Sequence, residues 1–252
     1  MAYRPLVVLM ILPAALVAAS CARPAPPPAE EAATTAPARP PANTAATMTE
    51  HFSRVRELEE AIIRGDLEAA KAPAQWIADH QDAAGMPAGT EGYVTGTKNA
   101  ARAVAATESI GNAGVAAAFA VSACGDCHAA AGVTPKMPEL SPPSAVPGTA
   151  AQMRAHQHAV DLMYRGMVVP SEDLWKRGAE ALKTSPLTDK DLTNVTKEIA
   201  ASEARVRELA GRAAEARDAG ARIAIYGEVI SGCANCHSLH GRVLGPGLPK
   251  TN

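Results

Sequence analysis

Alanine narrows the folds open to this chain more than any other feature, supplying 56 of its 252 residues against 3% for the aromatic residues together. Alanine has the best intrinsic helix propensity and is depleted from strands, so packed helices are favoured over a β-sandwich or β-barrel. It also inflates the hydrophobic share of 47% without adding bulky side chains, which leaves a thin core for this length. The expected fold is therefore all-α. The length allows two compact domains of about 100 residues once a leader and linkers are set aside. A formal charge of −2 and a pI near 6.4 give no basic field for a phosphate backbone, so nucleic acid is not an expected partner.

Residues 1–20 carry Arg4, an apolar run from Leu6 to Ala19 and small residues just before Cys21, the three-part pattern of an export signal peptide. The stretch Leu16-Val17-Ala18-Ala19-Ser20-Cys21 resembles the bacterial lipobox, with Ala18 where leucine is commoner. Cys21 is expected to be lipidated and to become the mature N-terminus. The competing readings are a plain secretory signal or an uncleaved anchor, although the apolar run is short for a span of about 20 residues. Residues 21–45 are rich in Pro and Ala and hold no large apolar side chain, so they read as a disordered tether. Pro135, Pro138, Pro142, Pro143 and Pro147 mark residues 133–148 as a linker. It divides a first helical domain, 46–132, from a second, 149–243, and residues 244–252 remain as a tail.

With Cys21 assigned to lipid, the other four cysteines fall into two matching patterns, Cys124-Gly125-Asp126-Cys127-His128 and Cys233-Ala234-Asn235-Cys236-His237. Cys-x-x-Cys-His reads as c-type haem attachment. On a helix the two sulfurs lie three residues apart on one side and reach the two vinyl groups of one porphyrin, while the adjacent histidine points at the iron. Cys124, Cys127, Cys233 and Cys236 are thus expected to bind two haem c groups, with His128 and His237 as proximal ligands. A single zinc site would have to span residues 128–232, far beyond a zinc-ribbon spacing. A thioredoxin-like site lacks its βαβ context, and two disulfides leave both histidines unexplained.

The halves repeat upstream as well. Met48-Thr49-Glu50-His51 and Met153-Arg154-Ala155-His156 each open a helical run, 76 residues before Cys124 and 80 before Cys233. Four helices are expected per half, over 46–64, 66–80, 91–108 and 111–131, then 150–165, 171–184, 188–217 and 220–240. Pro73 is expected to kink or break the second, and a Thr188/Asp191 capping box to open the seventh. Each first helix is expected to close on Arg-Gly, at Arg64-Gly65 and Arg165-Gly166. Gly132 and Gly241, four residues past their histidines, suit helix C-caps. Glu203 with Arg207 and Glu208 with Arg212 read as ion pairs on a solvated face. Trp76 and Trp175 are expected in the core, and His80 at the surface.

Residues 238–252 contain no methionine, His240 follows His237 on the same short segment, and Met137 has no counterpart after the second site. A distal ligand must then come from upstream. Haem attachment at the end of the last of four helices, over about 46–132 and 149–243, resembles the class II cytochromes c, the cytochrome c′ group. The resemblance implies an antiparallel four-helix bundle around each haem, and hence two tandem bundles here. It also implies that a first-helix residue faces the iron, a methionine in low-spin members and an open site in cytochrome c′ itself. Duplication and the expected lipid anchor depart from the usual single-domain form. Met48 and Met153 are the first candidates for distal ligands, since thioether ligation raises the potential and both stand at matching places. His51 and His156, one turn along the same face, are the second, and His158 lies off that face.

The expected function is electron transfer between periplasmic redox partner proteins, by a chain tied through its lipid to the periplasmic side of a bacterial membrane. The alternative is binding of a diatomic gas such as NO or CO at an open distal side. A dihaem peroxidase would need halves with divided labour, which near-symmetric halves do not suggest, so the chain is not expected to be an enzyme.

Overall fold

The computed structural model describes residues 42–80, 86–140, 149–185 and 195–244. The expectations for the signal peptide, Cys21, the tether before residue 42, the linker prolines at 142, 143 and 147, the Thr188/Asp191 box and the tail after 244 lie outside these residues. Eight helices and no strand occur among the described residues: α1 (Ala42–Ile63), α2 (Leu67–His80), α3 (Glu91–Ala106), α4 (Ile110–Ala130), α5 (Thr149–Val168), α6 (Glu172–Thr184), α7 (Lys197–Glu215) and α8 (Ala219–Leu244). The chain is all-α, as its composition implies.

Local chemistry sets most of the helix ends. Side chains that accept from a backbone N–H three residues on open α2 (Asp66 to Ala69, 2.9 Å), α4 (Ser109 to Asn112), α6 (Ser171 to Leu174), α7 (Thr196 to Ile199) and α8 (Asp218 to Ala221). Gly65 (φ 74°) and Gly132 (φ 64°) take the left-handed conformation that follows a helix end.

Several boundaries differ from those expected. Helix α1 begins at Ala42, inside the expected tether, and α2 continues through the buried Pro73. Helix α7 begins only at Lys197, because Thr196 caps it. Helix α8 runs past Gly241, which is therefore no cap. Helix α5 runs past Arg165-Gly166 to Val168, because Gly166 is a packing residue: a Cβ there would meet the backbone nitrogen of Trp175 at 2.6 Å.

Within each set of four, successive helices are neighbours, and α4 and α8 pack together at the centre with α1 and α5 each touching both. Helices α4 and α8 run antiparallel. Gly114 and Val115 lie against Gly227, while the Ser231 hydroxyl donates to Gly227 O at 2.7 Å and stands near the Ile110 and Gly111 carbonyls. The crossing is close because both helices carry glycine there: a Cβ on Gly114 would fall 2.7 Å from Gly227 O, and one on Gly227 would fall 2.8 Å from Val115 Cα. One continuous core, from Val55 and Leu58 of α1 to Val229 and Ile230 of α8, joins both sets of helices. Residues 133–140, without regular secondary structure, lie on this body, with Met137 packed against the core and, beside Pro135 and Leu140, lining a cavity of about 420 Å³ over α5 and α6.

Candidate haem-attachment sites

Both Cys-x-x-Cys-His sequences lie near the C-terminal end of a long central helix, the first in α4 and the second in α8. All four described cysteines are free thiols in two separate pairs, and among the described residues no three His, Cys, Asp or Glu side chains gather as a metal cluster. The first pair faces the third helix of its half, where Thr97 hydrogen-bonds Cys124 and Thr90, at the helix start, hydrogen-bonds Cys127; in the second pair Cys236 lies within reach of the charge on Glu203 of α7, and Cys233 packs against the core. Burial pushes Cys124 and Cys233 up to about 12 and raises Cys127 and Cys236, so all four are protonated at neutral pH.

The motif histidines share a contact that sequence reasoning did not find. His128 Nδ1 lies 3.0 Å from the carbonyl oxygen of Val168, the last residue of α5, and His237 Nδ1 lies 2.7 Å from that of Ile63, the last residue of α1. A carbonyl only accepts, so in both rings Nδ1 carries the proton and Nε2 carries the lone pair. Each histidine is thus oriented by the first helix of the opposite half. Burial, together with nearby His240 and His156, lowers the His237 pKa and keeps that ring neutral. Ile63 and Val168 are 105 positions apart, the interval that also separates Met48 from Met153 and His51 from His156. The methionine and histidine alignment therefore describes the repeat, and the Arg-Gly alignment does not.

Close packing maintains both contacts. A Cβ on Gly125 would sit 2.0 Å from Met167 O, and one on Gly65 would sit 2.7 Å from Ser238 Oγ and 3.3 Å from Ala234 O. The small residue belongs to the motif helix in one half and to the turn after α1 in the other.

The candidate distal residues separate into two environments. Met153 packs against the buried Ile199 in the first turn of α7, as do Val195 and Leu239. Met48 is half-buried near the start of α1. His51 is buried edge-on against Trp76 of α2, with ring centroids 5.3 Å apart, and Trp76 in turn stacks on the exposed His80. His156 Nε2 lies 2.6 Å from the carbonyl of Ser185, the residue after α6, so that nitrogen donates and holds no lone pair for a metal. His158 faces the cavity lined by Met137. Trp175 is fully buried as expected, donating to Ala213 O, whereas Trp76 is only partly so. Glu203 departs from the solvated-face expectation: it is 8% exposed and pairs with Arg207 at 2.5 Å, while Glu208 pairs with Arg205 and Arg212 with Glu228.

A polar network lies where the halves meet. Arg56 of α1 bridges Glu59 of its own helix and Asp161 of α5, the latter at 2.5 Å, while the Tyr226 hydroxyl of α8 donates to Glu59. Arg56 also lies over the Tyr164 ring, which faces Phe52. Arg56 and Asp161 are themselves 105 positions apart, as are Glu59 and Tyr164, so the network sits on the axis relating the two halves. Burial, opposed by Arg56, pushes Glu59 up to about 8, and burial also raises Tyr164. A sequence signal for Glu59 existed: with Val55 and Ile62 it occupies i, i+4 and i+7 of an apolar face, an unusual register for a charge.

Compared with known proteins, the chain matches no family model, no curated protein and no solved structure.

Proposed function

We propose that the protein is an exported dihaem c-type cytochrome that relays electrons between periplasmic redox proteins from a lipid anchor at Cys21, with one haem in each four-helix set. The observation that carries this reading is the paired histidine contact, His128 with Val168 O and His237 with Ile63 O. A metal-bound imidazole commonly donates its second ring N–H to a carbonyl or carboxylate, which fixes its tautomer and raises its basicity. The same N–H to carbonyl contact occurs here twice, each time on the histidine of a Cys-x-x-Cys-His sequence.

The donor set fits the group. Cys124 and Cys127, and likewise Cys233 and Cys236, would hold each haem by thioethers, and His128 and His237 would supply Nε2 to the iron. Bound haem supplies a reversible one-electron couple whose potential the protein sets through ligands, hydrogen bonds and burial. Helix α3 lies beside the first pair, which Thr90 and Thr97 bond, α7 lies beside Cys236, and the carbonyls at the ends of α1 and α5 hold the rings in place. His156 Nε2 is engaged with the Ser185 carbonyl, which favours Met153 as the distal ligand of the second site, and Met48 is its counterpart in the first.

Optical spectra of the haem-matured chain, oxidised and reduced, with and without CO and with haem counted per chain, test this reading. Two six-coordinate haems that ignore CO support the electron carrier. Rapid CO uptake by both would favour gas binding at an open distal side, and a matured chain without haem would overturn the assignment.

A further inference from the structure

We propose that Glu59 is a redox-linked proton site for the second haem alone, taking up one proton from bulk water for each electron that an external one-electron donor delivers to the group held by Cys233 and Cys236. The proposal rests on the haem reading above. It balances as one electron passed from a donor protein to ferric iron and one proton added to the Glu59 carboxylate.

Glu59 is 1% exposed, between α1, α5 and α8. The charged and titratable groups facing the network are Arg56 and Glu60 on its own helix, Asp161, Tyr164 and Arg165 on α5, and Tyr226 and Cys233 on α8. The buried residues of α2 are all apolar, and those of α4 are apolar but for Ser122. Arg56 is therefore shared between two carboxylates. Ionising both leaves excess negative charge in a dry interior, which costs far more than retaining a proton. Asp161 has 17% of its side chain exposed and also accepts from Gln157, whereas the Glu59 side chain is 2% exposed, so the proton belongs on Glu59. Its pKa, pushed up to about 8, agrees.

Glu59 stands one turn before Ile63, whose carbonyl oxygen lies 2.7 Å from His237 Nδ1, and its donor Tyr226 lies two turns before Cys233 on α8, so the Glu59 charge acts on a group held there. The positive charge of a ferric group there favours the ionised Glu59 carboxylate, and reduction removes that charge and returns the proton that the buried site otherwise holds. In the first half the residue related to Glu59 is Tyr164, one turn before the Val168 carbonyl that meets His128, and burial raises its pKa well above the usual phenol value. Tyr164 stays neutral near pH 7, so the first haem has no such partner.

Redox titration of the haem-loaded full chain across about pH 6–9 tests the proposal, with infrared difference spectra of reduction alongside. One of two midpoints should fall as pH rises, approaching a tenfold change in the one-electron equilibrium per pH unit, about 59 mV, while the other stays nearly level. Reduction should bring up one protonated-carboxyl band. Glu59→Gln should flatten the slope and remove the band, and Asp161→Asn, which relieves Arg56 of its second carboxylate, should move the onset of the slope to lower pH. Two pH-independent midpoints, no carboxyl band, or a slope that survives in Glu59→Gln would each overturn the Glu59 assignment and leave the haem reading standing. A chain with no haem or no reversible midpoint would overturn the haem reading, and this proposal with it.

Discussion

At the first Cys-x-x-Cys-His the thiols meet the hydroxyls of Thr97 and Thr90, and the residue on the axis side is Tyr164; at the second, Cys236 lies near the buried Glu203, which pairs with the exposed Arg207, and the axis-side residue is Glu59. Both histidines nevertheless keep the same backbone acceptor at the end of the opposite first helix. The repeat has held the backbone geometry of the ring and let the charges around it diverge. For the proposed haems, shared geometry would set what is bound and surrounding charge would set how tightly an electron is held, so one pattern would serve two potentials.

The largest test of this comparison removes one site at a time. Cys124→Ala with Cys127→Ala should lower haem from two per chain to one, as should Cys233→Ala with Cys236→Ala, by pyridine haemochrome assay; equal loss of both haems from either double variant would show that the sites do not load independently. Next is pH. Because burial raises Glu59 above its ordinary range, the folded state holds a proton that the unfolded chain has released between about pH 4.5 and 8. Stability is therefore present in full below about pH 4.5 and is lost as pH rises towards 8, by on the order of a few kcal/mol in denaturant titrations. Glu59→Gln should level that slope, and Tyr164→Phe should leave it in place.

Smaller effects sharpen the contrast at the two clasps. Gly125→Ala would place a Cβ 2.0 Å from Met167 O and should cost about 1–3 kcal/mol while disturbing the first site only. Ala234→Gly, at the matching position of α8, creates no clash and should cost about 1 kcal/mol through helix propensity. The smallest effect concerns Asp66 and Ser171, which stand 105 positions apart and cap α2 and α6. Asp66→Ala and Ser171→Ala should each cost about 1 kcal/mol, the aspartate more because its charge also meets the helix dipole. Thermal melts that rank them the other way would remove the charge term.

The helix count, the position of both motifs and the repeat interval are legible in the sequence, because propensity, turn residues and short-range spacing decide them. The Arg-Gly pair misleads because one dipeptide does two jobs: Gly65 follows a helix end with φ 74°, whereas Gly166 lies inside α5 to admit the backbone of Trp175. The close crossing of α4 and α8 is equally hidden, since Gly114 and Gly227 read as weak points in a helix until their partner is known. The acceptors for His128 and His237 are backbone carbonyls, which leave no trace in side-chain identity. Glu203 and Glu59 each carry a charge into a buried position, and only the tertiary partners Arg207, Arg56 and Tyr226 reveal why it is tolerated.

The exchange of histidine acceptors also says how such a chain can arise. In a symmetric homodimer each copy would lend the end of its first helix to the imidazole of its twin, and fusing the two genes would turn that loan into an internal bond. The descendant is then a dimer written as one polypeptide. Cutting it between α4 and α5 should yield two fragments, each missing one acceptor and each carrying the other's, which regain both histidine bonds only when mixed.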